Sequence, residues 1–138
     1  MSWRNLFTSM DGRIGRKEFW IGVLCLLLPE LIAHLAIGQR WASAASLLLA
    51  YPALAVLTKR ARDRDVPLWV PGLFVAGGIL SDVLNLLDLL GPPETPNLAF
   101  YIVGIPFGIL GLILLVDLGF RRGTVGANRH GPDPLPPG

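Results

Sequence analysis

Four apolar stretches, each near 20 residues long and almost free of charge, divide the chain at about 19–37, 41–57, 68–90 and 98–116. A soluble helix hides one apolar stripe and shows a charged face, so runs that are apolar on every side require lipid as solvent. The first run of 19 residues rises about 28 Å as a helix, close to the hydrocarbon thickness of a bilayer. It is too long for the apolar region of a secretory leader and holds Pro29, Glu30 and His34, so it reads as a span. Only Gly38, Gln39 and Arg40 separate the first two runs, which makes their helices antiparallel neighbours. Segment 91–97, with three prolines and a glycine, stops any helix between the last two and closes a second hairpin. The expected fold is an all-α, integral membrane four-helix bundle of two helical hairpins, a single membrane domain over 1–138 with a tail at 123–138.

Ahead of the spans, Trp3, Leu6, Phe7 and Met10 recur at helical spacing. They predict a short amphipathic helix over 2–11, lying in the headgroup plane with Arg4 at the interface. Gly12 and Gly15 let the chain turn before Trp20, an interfacial aromatic, enters the membrane. Each span carries one proline, Pro29, Pro52, Pro71 and Pro106, and so a place to kink. Small residues recur as well: Ala42, Ala44 and Ala45, then Gly77 and Gly78, then Gly104, Gly108 and Gly111. Gly104 and Gly108 form a GxxxG pair, for which packing inside the bundle is the simpler expectation and a homo-oligomer interface the other.

Composition agrees: 52% of residues are hydrophobic, 16% are charged, and the net charge is only +2. So small an excess excludes nucleic acid as an expected partner. The position of the charges matters more. Arg4, Arg13, Arg16, Lys17, Lys59, Arg60, Arg62, Arg64, Arg121, Arg122 and Arg129 flank the spans on one side, and Arg40 alone lies on the other. The positive-inside rule then predicts both termini in the cytoplasm. Cys25 is the one cysteine; it excludes an intramolecular disulfide and reads as a small core hydrophobe. No metal pattern, cofactor fingerprint, catalytic triad or phosphate loop is present, so no cofactor is expected and an enzyme is not.

Three segments on the predicted cytoplasmic side stand out: Gly12, Arg13, Arg16, Glu18, Phe19 and Trp20; then Arg60, Asp63 and Trp69; then Gly126, Asn128, Arg129, Gly131, Asp133 and Pro134. In this order, between four spans, they resemble the YhaH-like family of small bacterial inner-membrane proteins, domain of unknown function 805. The chain departs from that pattern at Lys59, Ala61 and Arg62, where the family carries Arg-Leu-His, and at His130, where it carries an aromatic. The resemblance implies a bacterial inner membrane and four helices; it lends no chemistry. On physical grounds, Arg13, Arg16, Arg60 and Arg129 meet Glu18, Asp63, Asn128 and Asp133 at one membrane face. The simpler expectation is that Arg13 or Arg60 clamps Asp63 or Asp133 and ties loop and tail to the bundle. The sharper one is a site for an anionic lipid headgroup or a protein partner, with membrane lipids as the expected ligands and loss of lipid on Arg13→Ala or Arg60→Ala without unfolding.

Ionisable groups inside spans need a separate account. Glu30 lies about 16 Å past Phe19, and His34 follows one turn later on the same face. Asp82 lies about 21 Å past Leu68, deep enough to meet His34. Asn85 and Asp88 continue this seam. A satisfied interhelical pair near a wet surface is the simpler expectation, and a proton or ion relay in a small oligomeric transporter or channel is the functional one. Asp117 is expected to pair with Arg121 at i+4.

Overall fold

The computed structural model describes residues 3–135; the expected helix start at 2 and the end of the tail, 136–138, lie outside them. The described residues form α1 (Trp3–Thr8), α2 (Arg16–Ile37), α3 (Gln39–Arg64), α4 (Trp69–Leu86) and α5 (Leu98–Phe120), with no strand among them. The last four are long and apolar enough to cross a bilayer, and the chain is a multi-pass, all-α membrane bundle. Its surface agrees: Leu35 and Leu48 are each 80% exposed, and Ile32, Ile102 and Leu112 are largely bare. So continuous an apolar exterior is what a protein turns toward lipid.

α3 is the central helix, packing against α1, α2 and α4. It runs on through Arg64, past the apolar stretch expected at 41–57, and so makes the charged segment Lys59 to Arg64 helical. Asp65 closes it in the left-handed conformation, with φ 55°, and Val66 donates back to the Ala61 carbonyl at 2.8 Å, the usual way of satisfying the last turn. α4 stops at Leu86, short of the expected 90. Residues 87–90 form a turn that contains Asp88 at φ 56°. α5 starts at Asn97, whose side chain accepts from the Phe100 amide at 3.2 Å as an N-cap.

Prolines 29, 52 and 106 lie inside α2, α3 and α5. Pro71 differs. It is the third residue of α4, in the first turn, where an amide has no intrahelical acceptor to lose, so no kink follows from it. Glycines set the close helix contacts. Gly77 leaves the space that Phe107 fills, and Gly111 the space for Phe74, so α4 and α5 exchange aromatic rings. Gly22 sits against Val56, and a Cβ on Gly119 would lie 2.7 Å from the Trp20 ring. Gly104 and Gly108 instead have open space where a side chain would be. Packing of that pair inside the bundle is therefore not what the fold uses it for.

The buried core lies at the arginine-rich end, where Leu6, Ile14, Phe19, Val56, Ala61, Leu114 and Leu118 pack together. α1 belongs to this core. Leu6 is buried and Phe7 packs beside it, while Trp3 stays 61% exposed. The apolar face expected to rest in the headgroups is thus divided, most of it seated on the bundle.

Candidate functional site

The short connection before α2, the last turns of α3 and the segment after α5 converge on one carboxylate. Asp63 is 2% exposed. Its Oδ1 accepts from Arg13 Nε at 3.1 Å and Nη2 at 2.9 Å, and its Oδ2 accepts from Arg60 Nη1. Both arginines are buried. The expected clamp therefore exists, with two guanidinium groups on one carboxylate and one oxygen for each. Asp133 takes no part in it. Burying these charges is tolerable because every remaining donor finds an acceptor. Arg13 also donates to the carbonyls of Thr124 (2.7 Å), Gly126 (2.8 Å) and Gly131 (3.2 Å) and to the Thr124 hydroxyl (2.9 Å). Arg60 donates to the carbonyls of Leu118 (2.6 Å), Ile14 (3.2 Å) and Arg121 (2.7 Å).

Two residues that complete this knot carry no motif signal. Thr124 donates its amide (2.8 Å) and hydroxyl (3.1 Å) to the Asp63 carbonyl. Gly123 lies against the Asp63 carboxylate so closely that a Cβ there would collide with it. Lys59, expected only as a flanking charge, is fully buried and donates to the carbonyls of Asn5 and Leu6 at the C-terminal part of α1. Arg62 reaches the Met10 carbonyl and Tyr51 the Thr8 carbonyl, so α3 holds α1 by its exposed carbonyl end.

The other motif residues scatter around this centre. Asn128 donates to the Arg62 carbonyl (3.1 Å) and the Thr124 hydroxyl (2.9 Å), and accepts from the His130 amide. Asp133 accepts from the amides of Gly126 (2.7 Å) and Leu135 (3.0 Å). Those contacts, the Leu135 amide first, hold its carboxyl below the usual value. Trp20 donates to the Gly119 carbonyl at 3.1 Å and meets Phe120 edge to face. Arg129 stands apart, pairing with the exposed Asp65 at 2.9 Å, and Trp69 is 68% exposed at the start of α4. Neither joins the buried cluster as the motif spacing led one to expect. Asp117 pairs with Arg121 at 3.0 Å as expected and also with Arg64 at 3.2 Å.

Beside the knot opens a cavity of about 350 Å³. Arg60 and Asp63 form part of its wall; Glu18 and Asp133 also line it, and Arg16, Lys17 and Arg122 add three exposed cations. Arg16 makes one 3.3 Å contact with the Phe120 carbonyl. The cations of this cavity free to meet a ligand are thus these three, and the deeper arginines are already used by the fold.

At the opposite end, Arg40 pairs with Asp88 at 2.9 Å and Gln39 donates to Asn85 at 2.8 Å. Those two pairs satisfy the outer part of the polar seam. Glu30 accepts from the Ser46 hydroxyl at 2.5 Å, and His34 Nδ1 lies 2.9 Å from the Glu30 carbonyl. Glu30, His34 and Asp82 all line one cleft of about 570 Å³ among α2, α3, α4 and α5. Among the described residues no ion pair joins His34 to Asp82, and no group of histidine, cysteine and acidic side chains is arranged to hold a metal.

The profile of the family described as "Protein of unknown function (DUF805)" matches residues 7–132, which takes in the first two motifs, the third as far as Gly131, and all four long helices. The uncharacterized protein YiiR of Escherichia coli K12 is 31% identical over 133 residues, covering 91% of this chain and 85% of that protein. YiiR of Escherichia coli O157:H7 matches to the same extent. No solved structure matches. With its buried Arg13–Asp63–Arg60 knot at the meeting point of the matched segments, the chain belongs to the DUF805 family.

Proposed function

We propose that this is a non-enzymatic protein of the bacterial inner membrane, with both termini in the cytoplasm, whose arginine-rich face binds the phosphate of an anionic lipid headgroup. The orientation rests on the charge count, eleven cationic residues against Arg40 alone, together with the convergence of α1, the end of α3 and the segment after α5 on one end of the bundle. The observation that carries the binding reading is the cavity rimmed by Arg16, Lys17 and Arg122. These cations stand beside the place where α2 and α5 leave the apolar zone, the level at which lipid phosphates lie. A basic group near an anionic surface contributes about 1 kcal/mol, or about fivefold in affinity.

The test is retention of phosphatidylglycerol by the purified protein, read by native mass spectrometry. Arg16→Gln, Lys17→Gln and Arg122→Gln together should lower it many-fold while the melting temperature stays within a few degrees of the parent. Unchanged retention would sink the reading. Arg13→Ala and Arg60→Ala do not serve here, because each strips a buried partner from Asp63.

A further inference from the structure

The second cleft differs in kind from the cavity beside the knot. α2 and α5 meet at the arginine-rich end, where Trp20 rests on Gly119 and Phe120. Farther along, Glu30 and His34 of α2 and Gly108 and Leu112 of α5 line opposite sides of the same open space, with α3 and α4 behind it. Gly108 has nothing within 4 Å of where a side chain would start. The cleft is apolar along most of its length, including Phe74 and Phe107, and polar where Glu30, His34, Ser46 and Asp82 gather. From His34 to Phe19 it follows α2 for about 22 Å, more than the roughly 15 Å half-thickness of a hydrocarbon core. Its volume falls within the usual range for a small-molecule site.

That polarity has a direction. His34 is three residues from the end of α2 and Asp82 four from the end of α4, so the polar patch lies toward the membrane surface opposite the arginines. α4, with 18 residues, rises only about 27 Å and draws that surface inward. The patch holds two carboxylates, acceptors only when ionised, next to one imidazole whose Nδ1 is already engaged. An ammonium group with three N–H donors complements the two carboxylates and the Nε2 of His34, which is an acceptor once Nδ1–H donates to the Glu30 carbonyl.

We infer that this cleft binds one molecule of an aminophospholipid from the leaflet opposite the arginine-rich face, with its ammonium among Glu30, Asp82 and the Nε2 of His34, and one acyl chain along Phe74 and Phe107. A phosphatidylcholine head has the same charge and no N–H donor. A phosphatidylglycerol head has no cation. Head chemistry therefore separates the three lipids at equal chain length.

The experiment uses the full chain in detergent, titrated with phosphatidylethanolamine, phosphatidylcholine and phosphatidylglycerol of identical acyl chains and read by native mass spectrometry. Phosphatidylethanolamine should bind at least tenfold more tightly than phosphatidylcholine. Glu30→Gln with Asp82→Asn should erase that preference. Gly108→Phe, which places a ring in the cleft without touching a polar group, should remove phosphatidylethanolamine binding and leave phosphatidylglycerol retention at the Arg16, Lys17 and Arg122 cavity intact. Melting curves matching the parent show that the variants are folded. Equal binding of phosphatidylethanolamine and phosphatidylcholine, or a folded Gly108→Phe protein that still binds phosphatidylethanolamine, would overturn the inference. Loss of phosphatidylglycerol retention in the Arg16, Lys17 and Arg122 variant bears only on the other site.

Discussion

At Asp63 two buried guanidinium groups share one carboxylate, and neither has water to fall back on. Asp63→Ala leaves both cations uncompensated in a low-dielectric site, a loss of about 3 to 5 kcal/mol; a fall in detergent-solubilised melting temperature far larger than that of Asp65→Ala checks it. Gly123→Ala acts on the same carboxylate by sterics. A methyl group there displaces either Asp63 or the loop, and overpacking of this kind costs about 1 to 3 kcal/mol, readable in the same assay. Asp133 responds to pH instead. Its carboxyl is held below its ordinary value of 3.8 by the Leu135 and Gly126 amides. The folded value is the lower one, so the stabilising contribution is complete above that ordinary value and is lost as pH falls through the depressed one. Protection of the Gly126 amide against exchange, taken relative to the unprotected rate at each pH, should fall in that acid window, and Asp133→Asn should lower it above the window as well. Arg13, Arg60 and Asp63 were visible in the sequence because their spacing forms a pattern. Thr124 and Gly123 were not, since one contributes a hydroxyl and the other only an absence of atoms, and both matter through neighbours distant in sequence, Asp63 above all.

Among the elements, α1 shows how a short helix is held in place. Six residues are too few to be stable alone; Lys59 and Tyr51 of α3 take up its terminal carbonyls, and Arg62 that of Met10 just beyond it. Lys59→Met removes the ammonium and leaves the Asn5 and Leu6 carbonyls short of a donor, a loss of about 1 to 3 kcal/mol. Hydrogen exchange across residues 3–8 should then rise about tenfold or more, since 1.4 kcal/mol is a factor of ten, while exchange in α5 changes little. The glycines of α5 divide in the same way. Gly111→Ala meets Phe74 at 2.8 Å and should lower the melting temperature. Gly104→Ala meets nothing and should hold or raise it, gaining up to about 1 kcal/mol of helix propensity. The long helices were legible from hydrophobic run length, because lipid imposes that length directly. Their ends were less so. α3 outruns its apolar stretch because carbonyls from α1, the chain before α2 and the segment after α5 accept its charges, and such partners leave no mark in local periodicity.

Across the whole molecule, order runs from one end to the other. The arginine-rich end holds the main buried cluster and the salt-bridged knot, and toward the other end the cleft lined by Glu30, His34 and Asp82 opens among the long helices. Run lengths and charge counts gave the number of helices and the gathering of the motifs at one end, but not the cleft, which depends on how far two helices diverge. The knot also bears on the order in which the protein is made. Apart from Ile14, Arg13 and Arg60 find their carbonyl partners at Leu118, Arg121, Thr124, Gly126 and Gly131, which are made only after the fourth long helix is nearly complete. Until then Arg13 and Arg60 have Asp63 to pair with, but most of their remaining donors lack the carbonyls that satisfy them. A chain stopped after Asp117 should insert and yet be cleared by membrane proteases, its half-life in a pulse-chase several-fold below that of the full chain. The segment after α5 thus acts as a seal, and its synthesis closes the bundle against degradation.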